Sequence, residues 1–93
     1  MNVIAGAALG EDAVFIGIRP ERVRLSSDGE IRGRVSRVER TGADAYVSIA
    51  TSAGTIVARV DAANVPDVGI ELACGWEPQH VRRFDRVSGA ALP

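Results

Sequence analysis

The stretch Gly17-Ile18-Arg19-Pro20-Glu21-Arg22-Val23-Arg24-Leu25 returns, loosely, as Gly75-Trp76-Glu77-Pro78-Gln79-His80-Val81-Arg82-Arg83. Glycine, proline, valine and arginine recur at one offset of 58 residues. Each copy follows an apolar run, Ala13 to Ile18 or Ile70 to Cys74. Proline has no N–H to offer a ladder. A strand entering either copy must therefore stop there, and a short strand leaves after one turn. Two equivalent corners in so short a chain point to a small β-barrel.

The rest of the chain agrees with that expectation. Met1 to Ala5 reads as a short edge strand, and Gly10-Glu11-Asp12 as a turn. Ala13 to Arg19 is apolar on both faces, as a strand buried on both sides would be. Ser26-Ser27-Asp28-Gly29 carries turn residues. Glu30 to Arg40 is the longest strand candidate. Ile31, Gly33 and Val35 share one parity and Val38 the other, so a β-bulge is expected near Ser36-Arg37. Gly33 within that strand suits the sharp coil of a small barrel.

Ala45 to Thr51 alternates, Ser52-Ala53-Gly54 is a hairpin loop, and Thr55 to Val60 returns. A helical turn is expected at Ala62 to Val65. Strands follow at Ile70 to Cys74 and Val81 to Asp85. No long stretch repeats apolar residues at helical spacing. The reading is one all-β domain over residues 1–93, a barrel of about six to seven short strands. Residues 1–12 are a partial first strand and linker, and residues 13–93 are the barrel.

Chemistry is conspicuous by what is missing. All 11 basic residues are arginine, so no lysine exists to complete a phosphate-binding loop. The net charge of −1 and four aromatic residues argue against a nucleic-acid groove. Arg32, Arg34, Arg37 and Arg40 are interleaved by Glu30 and Glu39, as on a solvated strand face. The lone His80 is a corner residue. The lone Cys74 is a small buried hydrophobe that suits a reducing cytoplasm. Glu21 and Glu77 sit beside prolines, solvated or paired to arginine rather than poised for catalysis. Trp76 and Phe84 are expected as core anchors. No catalytic residue, cofactor or metal site is expected.

Several segments in combination resemble a known family. They are Met1-Asn2, Gly17-Ile18-Arg19-Pro20-Glu21, Gly33-Arg34-Val35 running to Val38-Glu39, Gly42, and Phe84-Asp85 with Ser88-Gly89. Together they resemble the C-terminal regulatory domain of ATP-binding subunits in bacterial ABC sugar importers, the maltose and glycerol-3-phosphate type. That domain is the TOBE type, related to the oligonucleotide-binding (OB) barrel. Two departures stand out. The stretch from Val3 to Ile16 is shorter than in the family, and the second corner reads Gly75-Trp76-Glu77-Pro78.

The resemblance implies a domain without chemistry of its own. It implies a homodimer, an ATPase domain and membrane permease subunits as partners in the whole protein, a possible cytoplasmic regulatory protein, and the cytoplasmic face of the inner membrane as location. The regulatory and interface candidates it implies are Gly17, Arg19, Glu21, Gly33, Glu39, Gly42, Gly75 and Phe84. The alternative is a free-standing OB-like module for an oxyanion such as molybdate, or for nucleic acid. A small enzyme finds no constellation to support it.

Overall fold

A computed structural model describes all of residues 1–93. Eight strands form two antiparallel sheets: β1 (Asn2–Ala5), β2 (Val14–Ile18), β3 (Arg24–Ser26), β4 (Ile31–Arg40), β5 (Asp44–Thr51), β6 (Gly54–Asp61), β7 (Glu71–Gly75) and β8 (Arg82–Asp85). The small sheet runs β1-β2-β8 and the large one β3-β7-β4-β5-β6. The count exceeds the expected six to seven because the three-residue β3 pairs fully with β7 as a strand of its own.

Both corners are single 3-10 turns, Pro20–Arg22 and Pro78–His80, each opened by proline. The residue before each proline is extended, with ψ of 144° at Arg19 and 140° at Glu77, as the proline ring demands of its predecessor. At each corner the chain leaves one sheet and enters the other: β2 of the small sheet becomes β3 of the large, and β7 of the large becomes β8 of the small. Corners of this kind close two sheets around one core.

The repeat is exact in register. In the small sheet Phe15 faces Phe84, Ile16 faces Arg83 and Gly17 faces Arg82. Shifting each partner by the same offset gives Ala73 with Ser26, Cys74 with Leu25 and Gly75 with Arg24, which are the pairs of the large sheet. The two corner units are therefore related by a pseudo-two-fold axis.

The core between the sheets is aliphatic. Ile4, Ile16 and Ile18 come from the small sheet; Ile31, Val35, Val47, Ile49, Ile56, Leu72 and Cys74 come from the large one. Trp76 packs among them and is only 9% exposed. The expected bulge is present: the β4–β5 register shifts between Val35 and Arg37. Ser36 is the extra residue, its hydroxyl donating to the Ser48 carbonyl at 3.2 Å. The bulge lets Val35 lie fully buried and Val38, of opposite parity, pack half-buried against the same core.

One closure was not anticipated. The Asn2 side-chain amide donates to the Val57 carbonyl at 2.7 Å, and its oxygen accepts from the Val57 N–H at 2.8 Å. This side chain satisfies the outward edge of β6 as a neighbouring strand would. It ties β1 to β6 and so the small sheet to the large.

Candidate functional site

Gly17 lies buried in β2. A methyl group built there would come within 2.6 Å of Met1 Sδ and 3.0 Å of Phe84 Cε2. Its small size thus makes room for Met1 and for Phe84, which is half-buried opposite Phe15. Arg19 and Glu21 stand exposed at the first corner. That corner packs on β6. There Arg59 is held in its charged form chiefly by its hydrogen bonds to Asp44, with a smaller contribution from Glu21.

Gly33 is constrained differently. A methyl group there would meet the Ala50 carbonyl oxygen at 2.5 Å and Ile49 Cγ2 at 2.7 Å, so backbone proximity alone requires glycine. Gly42 turns the β4–β5 hairpin with φ of 88°. Gly75 has ordinary room, its nearest neighbour being Gly29 Cα at 3.5 Å. Glu39 is exposed on the outer face of the large sheet and pairs with Arg37. It stands across from Tyr46, which stands across from Arg59. Glu39 thereby neutralises Arg37 on this face.

The candidates thus fall into groups rather than one site. Gly17 and Phe84 meet, with Arg19 and Glu21 at the adjoining corner. Glu39 and Gly42 occupy the far end of β4. Gly33 serves the backbone within the large sheet, and Gly75 ends β7 with room to spare.

The outer face of that sheet is internally neutralised. Arg34 reaches Glu71 at 3.3 Å and Arg32 at 4.0 Å, while Arg59 reaches Asp44 at 2.7 Å. Arg40 donates to the Ala62 carbonyl at 3.5 Å. The arginine-rich strand is hence a solvated face whose arginines are largely paired. Cys74 is buried, and desolvation pushes its thiol up to about 11. His80 sits at its corner beside Arg22. Glu77 pairs with Arg24 at 3.5 Å rather than with another acid.

A model of the TOBE domain matches residues 16–84, from β2 through both corners to β8. The chain belongs to the TOBE-domain family. No curated protein matches it. The all-β, OB-like architecture expected from the sequence is the TOBE fold, and β1 precedes the matched residues.

Sequence reasoning missed a groove of about 400 Å³ in this TOBE domain, beside the second corner, lined by Arg24, Ser26, Asp28, Glu30 and Trp76 among others. Its only sequence signal was the polar Ser26–Asp28 turn, which lies far from Trp76 along the chain.

Proposed function

We propose that this TOBE domain is the non-catalytic C-terminal regulatory and dimerisation domain of the ATP-binding subunit of a bacterial ABC sugar importer. The observation that carries the reading is the Gly17–Glu21 corner, whose motif underlies the resemblance and which lies within the matched region. In the whole protein its partners are an ATPase domain, permease subunits at the cytoplasmic face of the membrane, and a regulatory protein. No helix of this chain is long and apolar enough to cross a membrane itself.

The physical logic is effective concentration. A standing contact between two copies of this domain makes closure of the attached ATPase halves intramolecular. A regulator that prefers one arrangement then shifts the population. The paired charges of the outer sheet face, with exposed Tyr46 among them, suit an isologous contact of weak salt dependence. Glu39 and the turn from Thr41 to Asp44 lie at its end.

Sedimentation over a hundredfold concentration range tests the assembly. The expected result is weak association of roughly micromolar strength, reduced in Glu39→Arg. A strictly monomeric protein at millimolar concentration counts against it. An ATPase-encoding stretch upstream in the same reading frame would support the importer context, and its absence would remove it. The oxyanion reading has less support, since the groove beside the second corner holds two carboxylates without an ion pair; a thermal shift with molybdate is its direct test.

A further inference from the structure

Arg19 and Arg82 are the two arginines whose side chains find no partner in the fold. Arg24, Arg32, Arg34, Arg37, Arg59 and Arg83 each reach a carboxylate. Arg22 reaches His80, while Arg40 and Arg86 donate to backbone carbonyls. Arg19 and Arg82 are both exposed and do neither.

The symmetry of the corners brings these two together. Under the offset of 58 residues Arg82 corresponds to Arg24, and Arg19 to Glu77. In the large sheet Arg24 faces Gly75 across the β3–β7 ladder and reaches Glu77 at 3.5 Å. In the small sheet Arg82 faces Gly17 across the β2–β8 ladder. Arg19 takes the place of Glu77, since each precedes its corner proline with nearly the same extended backbone, ψ of 144° and 140°. The ion pair of one unit is thus replaced in the other by two like charges. Glu21 does not relieve them: it forms no ion pair, and its charge bears on Arg59 of β6. Two guanidinium groups stand where an arginine and a carboxylate would meet, and the carboxylate is missing.

The surroundings select the kind of carboxylate. Val3, Gly17 and Arg82 form one row across the small sheet, on the face turned away from the core. Met1 and Val3 are 57% and 59% exposed there. Met1 lies over Gly17, its Sδ 2.6 Å from where a methyl group would stand. A free inorganic anion would engage the arginines and leave these apolar side chains in water. A peptide segment with an acidic residue beside an apolar one engages both, and the planar fork of arginine matches a carboxylate. We propose that Arg19 and Arg82, with Met1 and Val3 beside them, form a docking point for a segment of another protein that presents a carboxylate next to an apolar side chain. The surface belongs to the small sheet and not to the large-sheet face assigned to self-association. It does not depend on the importer reading, so either can fail without the other.

Three probes test it: an end-blocked pentapeptide of alternating leucine and glutamate, the same peptide with glutamine for glutamate, and sodium phosphate. Each is titrated at constant ionic strength while backbone amide and arginine Nε–H chemical shifts are recorded. The expected result is a saturable response to the acidic peptide in the millimolar range, centred on Gly17, Arg19 and Arg82. The glutamine peptide and phosphate should bind at least tenfold more weakly. Arg19→Glu puts an acid where Glu77 stands in the other unit, so it should pair with Arg82 and abolish the response while the rest of the spectrum is kept. Arg82→Gln, also at an exposed position, and Val3→Ser should each weaken binding. No saturable response to the acidic peptide, an equal response to phosphate or to the glutamine peptide, or a response unchanged in Arg19→Glu overturns the proposal.

Discussion

Arg22 and His80 hold the same place in the two corners, 58 residues apart, and they touch: Nη1 of Arg22 lies 3.4 Å from Nε2 of His80. A contact between a residue and its own equivalent marks the pseudo-two-fold axis. The two corners therefore support each other directly and do not act as separate turns. The contact is open to solvent, so it records the symmetry and adds little to stability.

The glycines divide by what surrounds them. Gly33→Ala drives a methyl group against the Ala50 carbonyl and Ile49, which are backbone and core. It should cost about 1–3 kcal/mol, lowering Tm by about 4–8 °C for each of these. Gly17→Ala meets the end of the flexible Met1 side chain and the edge of Phe84. It should cost less. Thermal melts of the two variants side by side check the order.

Asn2→Ala leaves the Val57 N–H and carbonyl without partners on the β6 edge. A loss of about 1–3 kcal/mol is expected, together with faster hydrogen exchange at the Val57 amide. Unchanged exchange there would mean that β6 does not rely on Asn2 for closure.

Acid should loosen the β8 end first. The Glu11 carboxyl is held below its ordinary value of 4.5 chiefly by its hydrogen bond from Arg83. Asp85 is held below 3.8 by the backbone N–H groups of Ser88 and Val87. Both folded values are depressed, so each carboxylate stabilises the fold above its ordinary value. That stabilisation is lost as pH falls through the lower, folded one. Amide spectra recorded from pH 6 downward should show β8 and the turn after it changing before β5. Glu11→Gln and Asp85→Asn should flatten that dependence.

Cys74 should resist a thiol reagent in the native state at pH 8. Its thiol is raised to about 11 by burial, so almost none of it is thiolate. Its modification rate should follow unfolding and rise sharply in denaturant. Rapid labelling without denaturant would show that β7 opens.

The all-β class, the two corners and the bulge were readable from the chain because each rests on local chemistry. Proline removes a donor at positions 20 and 78, and the parity switch between Val35 and Val38 requires one extra residue. Neighbours in sequence enforce such features. What joins distant segments was not readable. Asn2 could be seen as part of a motif, but its bond to Val57 exists only once β1 lies beside β6. Likewise the Ser26–Glu30 turn and Trp76 share a groove only because β3 pairs with β7. The offset of 58 hinted at equivalence, yet crossed pairing of the two units, β2 with β8 and β3 with β7, was settled by the tertiary structure. The reason is that hydrogen bonds between strands and the burial of one apolar core depend on which segments meet, and no local propensity encodes that choice.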